Sequence, residues 1–211
     1  MPSVQVKCKT RVRDLAEVYT NEREVNAMLD LIPINNPDEI ISYKYLEPAC
    51  GNGNFLIEIL RRKLNRVAEK YNDSKLTTFE FYIIRSLTTI YGIDICPQNV
   101  DEAKARLFSE IKSFFDLHRG SFVYSKGFLP LAWYILESNI VLGDTINKPE
   151  NIVFIDYKVK GKRLEQRFFY FNTLTQKDPK PFKTIPSKYF LKLGVEHERN
   201  QRHFNFVWGF E

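Results

Sequence analysis

Apolar residues change their spacing several times along this chain, and each change predicts an element. Val18, Met28, Leu29 and Leu31 mark a helical segment within residues 11–32, where Asn21 suits an N-cap and Glu22 and Glu24 an acidic first turn. A turn at Asn35-Asn36-Pro37-Asp38 leads to a short buried strand over 43–47. Phe55, Leu56, Ile59, Leu60, Leu64 and Val67 then recur at helical spacing, so a helix follows the glycine-rich stretch between them and the strand. A break at Tyr71-Asn72-Asp73-Ser74 precedes a second helix over 78–87 and a strand over 90–95. Pro97 opens a helix through Leu107, and residues 111–126 read as helical and then irregular. A third short strand occupies 139–142. Beyond Pro149 the alternation of 153–159 and 168–171 around Lys160-Gly161 predicts a hairpin. Residues 178–186 read as a proline-punctuated loop, and 204–208 as a final strand.

The order strand, helix, strand, helix, strand, hairpin makes the chain an α/β protein. It divides into an N-terminal helical segment (1–40), a nucleotide-binding core (41–150) and a hairpin and loop extension (151–211). The 211 residues, 44% hydrophobic and 27% charged, suit one decorated globular domain. No apolar run approaches the roughly 20 residues of a membrane span, and residues 1–9 carry no secretory signal. Cys8, Cys50 and Cys96 form no CxxC pair, which points to a reducing cytoplasm. His118, His197 and His203 are scattered without metal spacing.

Charge alters this picture in one place. Residues 158–202 hold twelve Lys or Arg against four Asp or Glu, a net of +8 in a chain whose total is +5. Two readings stand: a phosphate-facing surface for DNA, or a solvated hairpin with lysines on its edge.

The chemistry-bearing stretch is Glu47-Pro48-Ala49-Cys50-Gly51-Asn52-Gly53-Asn54-Phe55. Strand, glycine turn and helix together make a nucleotide-binding element, because glycines let the backbone approach a ligand that helix-start amides face. Leu56 stands where a dinucleotide fingerprint needs its third glycine, and no Gly-Lys-Ser/Thr follows Gly53. A carboxylate at Glu47 repels pyrophosphate but suits a ligand bearing an ammonium group. Asp94 and Asp144 end the next two strands, giving three acidic strand ends for an adenosine that carries a cation. Asp94 also reads as an N-cap for the helix opened by Pro97, Asp144 as a turn aspartate, and Glu47 as a helix cap or ion-pair partner.

Leu46 to Phe55 resembles the cofactor motif of the amino-methylating DNA methyltransferases. Tyr91-Gly92-Ile93-Asp94-Ile95 resembles their second motif, Leu142-Gly143-Asp144-Thr145 their third, and Ala16-Glu17-Val18-Tyr19-Thr20 their upstream segment. Asn21 stands where that segment usually has proline. The resemblance, over residues 12–145, is to bacterial N6-adenine DNA methyltransferases of restriction-modification type. It implies a Rossmann-like sheet with S-adenosylmethionine as cofactor, and Tyr19, Thr20, Glu47, Pro48, Ala49, Gly51, Gly53, Phe55, Asp94, Ile95 and Asp144 as its binding residues. It also implies a catalytic tetrapeptide of Asp, Asn or Ser, two prolines and an aromatic residue, whose ring and polar groups hold the flipped adenine. Here no two of the ten prolines are adjacent, and Asp178-Pro179-Lys180-Pro181-Phe182 has the wrong spacing. Phe204 to Trp208 reads as the approach to the family's fourth strand, so the chain is expected to be the first part of a longer enzyme. A separate chain would then supply the catalytic motif and target recognition. The other readings are a non-catalytic S-adenosylmethionine- or DNA-binding subunit, and a methyltransferase acting on protein or RNA.

Overall fold

The computed structural model describes residues 20–34, 36–120, 122–174 and 176–208, with side chains as far as Gln201. It is a mixed α/β fold with two three-stranded sheets. Helix α1 (Glu22–Leu29) starts where Asn21 Oδ1 accepts the Glu24 amide at 3.0 Å, and it buries Val25 and Leu29, four residues apart. Strand β1 (Tyr45–Glu47) leads through the glycine turn into α2 (Asn54–Tyr71) and α3 (Leu76–Leu87), then β2 (Ile90–Asp94). Helix α4 (Pro97–Arg119) is continuous, because Leu107, Ile111, Phe114 and Phe115 keep one buried stripe across the expected break. Helix α5 (Phe128–Asn139) fills a stretch to which the sequence reading assigns no element, and runs directly into β3 (Ile140–Leu142).

The first sheet is parallel, in the order β1-β2-β3, with Glu47 opposite Gly92 and Asp94 opposite Leu142. Parallel crossovers are right-handed, so strands added successively in one direction keep their helices on one face. That face presents Gly92, where a Cβ would lie 2.7 Å from Leu56 of α2. Tyr91 and Ile93 point to the other face, which is covered by Ile152 and Phe154 rather than by a helix.

The second sheet is antiparallel, comprising β4 (Val153–Lys160), β5 (Arg163–Tyr170) and β6 (Lys183–Tyr189). The hairpin forms with Val153 opposite Tyr170 and turns at Gly161-Lys162. The loop expected through 186 becomes strand at Lys183. Pro186 is tolerated because β6 is an edge strand whose pairing shifts register between Leu164 and Gln166. The outer side of β4 meets Asn139 at the end of α5. Its side-chain amide donates to Ile155 O and accepts from Ile155 N–H, both at 3.1 Å.

The final strand expected over 204–208 is helix. Helix α6 (Phe190–Trp208) buries Phe190 and Leu193 and packs on α5. The extension therefore ends in a helix, not near a fourth strand of the parallel sheet. Its approach to α5 is backbone on backbone: a Cβ on Gly194 would lie 1.9 Å from Gly127 O. Lys63 of α2 is wholly buried, its amino group donating to Ile40 O (2.7 Å), Tyr43 O (2.6 Å) and Thr89 Oγ1 (2.8 Å). Those bonds tie the segment before β1 and the start of β2 to one helix. Among the described residues no helix is long and apolar enough to cross a membrane.

Candidate functional site

Parallel pairing brings the ends of β1, β2 and β3 to one edge of the sheet, so Glu47, Asp94 and the Gly143-Asp144 turn lie side by side. The glycine turn leaves β1 by way of Pro48 and Ala49, both exposed, and folds back so that Cys50 N–H donates to Ile93 O at 2.8 Å. Gly51 and Gly53 have φ of +52° and +88°, values an L side chain rarely adopts. Gly53 also faces α4, where an added Cβ would lie 3.1 Å from Ala103 Cβ. Helix α2 begins at the next residue, with Phe55 half-buried in its first turn.

Asp94 braces this turn. Its Oδ2 accepts Gly51 N–H at 2.8 Å, while Oδ1 accepts Cys96 N–H at 2.8 Å and the Asn99 amide at 3.3 Å. The carboxylate thus joins the glycine turn to the start of α4, and at least one Oδ2 lone pair is left over by these bonds. Ile95, immediately after it, is 57% exposed. Glu47 is half-buried and meets no cation among the described residues. Burial pushes its carboxyl up, opposed by a bond from the Ala49 N–H. Cys50 sits between the two acids. Burial first, then Asp94 and Glu47, push its thiol up to about 12.

Asp144 is arranged differently. Its Oδ1 accepts the Ile146 and Asn147 amides at 3.0 and 2.8 Å, and its Oδ2 accepts Asn147 Nδ2 at 2.8 Å. The Asn147 backbone amide foremost holds its pKa below the usual carboxylate range. Its carboxylate is engaged within its own turn, the second of the two readings open from sequence. Thr20 comes to the site by its backbone, its carbonyl accepting Asn54 Nδ2 at 2.9 Å. Tyr19 and the rest of the upstream segment lie outside the described residues.

Four residues on which the sequence reading laid no weight hold the turn. Arg106 of α4 donates to Asn52 O (2.7 Å) and Asn54 Oδ1 (2.9 Å), and Glu102 accepts Asn52 Nδ2 at 3.0 Å. Asn52 Oδ1 is buried without a hydrogen-bond partner among the described residues. Asn52 and Asn54 alternate with the two glycines, a pattern visible in sequence. The one-turn spacing of Glu102 and Arg106 carries no such mark until α4 is laid across the turn.

The basic stretch is distributed over β4, β5, β6 and α6, and part of it is internally engaged. Arg167 pairs with Asp156, Lys188 with Glu196, and Lys162 donates to Thr78 Oγ1. Lys158 and Lys160, at the hairpin end, are exposed. The described residues contain no group of three or more side chains placed to hold a metal ion. No family model, no curated protein and no solved structure matches this chain.

Proposed function

We propose that the glycine turn between β1 and α2 binds S-adenosylmethionine, within a Rossmann-like sheet of the kind found in N6-adenine DNA methyltransferases. The observation that carries the reading is Glu47, a half-buried carboxylate with no cation beside it among the described residues, flanking Cys50 together with the second strand-end acid, Asp94. A phosphate-bearing nucleotide is disfavoured there, whereas the ammonium and sulfonium groups of S-adenosylmethionine are attracted. The free Oδ2 lone pair of Asp94 accepts a ribose hydroxyl, Ile95 offers an apolar surface to the adenine, and the orphaned Asn52 Oδ1 accepts a donor of the methionine end. Asp144 contributes backbone shape rather than its carboxylate.

The tetrapeptide that activates adenine is absent from these 211 residues, and 204–208 is helix rather than the approach to its strand. These 211 residues would then bind cofactor and touch DNA through the exposed lysines of 158–202, with methyl transfer depending on a tetrapeptide outside them, on the same polypeptide or another. Their place is the cytoplasm, where Cys50 and Cys96 stay as the buried free thiols they are. Thermal unfolding with S-adenosylmethionine or its homocysteine product tests the proposal. At about 100 times Kd a ligand of the folded state stabilises it by about 2.7 kcal/mol. NAD and ATP should shift the transition far less, and a larger shift with NAD overturns the assignment. Tritiated-methyl incorporation into unmodified DNA tests the second half. Incorporation by these 211 residues alone would refute that dependence.

A further inference from the structure

Among the described residues strand β1 is the edge of the parallel sheet, and the backbone shows which of its groups lie open. Tyr45 N–H donates to Thr89 O at 2.9 Å, so Tyr45 and Glu47 turn their backbone groups toward β2. Successive residues of a strand face opposite sides, so the N–H and C=O of Leu46 point away from the sheet, where no strand of the described residues pairs with it. Leu46 is 41% exposed, although it belongs to the sheet's central motif. Beside this edge runs a groove of about 330 Å³, walled by Tyr91, Phe154, Phe169 and Leu174. Its charged side has two cations for one acid: Lys44 (2.5 Å) and Arg167 both pair with Asp156. Arg167 also keeps a buried Nε–H without a hydrogen-bond partner among the described residues.

We propose that this edge accepts an extended segment of another polypeptide as a fourth strand. The strand pairs with Leu46, sets one apolar side chain into the aromatic groove, and brings a carboxylate to Arg167. Unpaired edge groups recruit backbone, an alternate-residue pocket selects an apolar side chain, and the surplus cation selects an acid. The inference is independent of the proposed cofactor, since the groove contains none of the candidate cofactor residues.

Three acetylated nonapeptides of alternating valine and threonine test it: one with a central glutamate, one with a central lysine, and one with proline at every second position. Amide hydrogen exchange of the 211-residue protein is followed by NMR as each is added. The glutamate peptide should slow exchange at Leu46 by about tenfold or more, a protection reported by local hydrogen bonding. The lysine peptide should need about tenfold higher concentration, and the proline peptide should do nothing. Arg167→Gln should erase the preference for glutamate. Leu174→Arg, at a 40% exposed position, should block the groove without disturbing β1. Absence of Leu46 protection at about 1 mM glutamate peptide, an affinity floor of about 4 kcal/mol, overturns the proposal. So does equal protection by all three peptides. Concentration-dependent protection without peptide would assign the edge to a second copy of this chain and likewise refute it.

Discussion

Replacing Asp94 distinguishes a brace from a ligand contact, because its carboxylate does measurable structural work before any cofactor arrives. Asp94→Ala strips partners from Gly51 N–H and Cys96 N–H, both held at 2.8 Å, and from the Asn99 amide. Leaving a buried donor unsatisfied costs about 1–3 kcal/mol, and the site is only partly buried, so a total of about 2–4 kcal/mol is expected. Asp94→Asn is more selective. An amide oxygen at the Oδ1 position keeps Cys96 and Asn99, while its NH2 faces the Gly51 N–H and breaks one bond, for about 1–2 kcal/mol. Urea unfolding measures both losses, and calorimetric titration with S-adenosylhomocysteine is then run on the folded fraction. If Asp94 also accepts the ribose, affinity falls about 10- to 100-fold beyond anything unfolding explains. An Asp94→Ala protein as stable as the parent refutes the bracing argument. A destabilised variant whose folded fraction binds unchanged refutes the ribose contact alone.

Glu47→Gln should give the opposite pairing of effects. Burial raises the Glu47 pKa, so ionisation costs stability once pH exceeds its unfolded value, and the amide removes that cost. The folded variant should be at least as stable at pH 7, yet bind S-adenosylmethionine about tenfold more weakly, and undiminished affinity removes Glu47 from the site. Burial pulls the Lys63 amine from 10.5 down to about 7. A lowered lysine pKa penalises the fold fully below about 7 and progressively less up to 10.5, a span of at most about 5 kcal/mol at 1.36 kcal/mol per unit. The stability of the parent relative to Lys63→Met should therefore rise between pH 7.5 and 9.5 by about 2–3 kcal/mol, and a difference that stays flat across urea titrations contradicts it. Gly194→Ala drives a Cβ to 1.9 Å from Gly127 O, so α5 and α6 must separate. A loss of about 3 kcal/mol or more is expected in thermal or urea unfolding, and a neutral outcome would mean that the two backbones do not touch.

The strand–turn–helix at 45–71 was legible because three local signals agree there: a short apolar strand, two glycines, and a helical stripe from Phe55 to Val67. Asn21 and the hairpin were legible for the same reason, since a cap and a tight turn are decided by a few neighbouring residues. Helix α5 carries a full helical stripe, Phe128, Leu131, Ala132, Ile135 and Leu136, all buried. Gly127 and Pro130 obscure it, although a proline in the first turn breaks no helical hydrogen bond. In α6 the alternation Phe204-Asn205-Phe206 imitates a strand. The helix is anchored upstream by Phe190, set edge-on to Phe81 of α3, and by Gly194 beside Gly127, a tertiary cause that a local window does not contain. At the site, the acids are visible in the sequence but their engagement is not. Asp94 and Asp144 look alike at strand ends, and only the folded turns show one bracing a neighbouring segment and the other closed upon itself.

The amide of Asn139 acts as a counterfeit residue of a missing strand. By giving Ile155 both a donor and an acceptor, it ends the growth of the second sheet at β4 with a single side chain. Aspartate offers no donor, leucine neither donor nor acceptor, and glutamine carries its amide one bond too far. The position is thus chemically narrow although it touches no proposed ligand. It also makes the two sheets unlike at their borders, since one border of the second is plugged by the protein's own amide while the outer side of β1 meets no strand among the described residues.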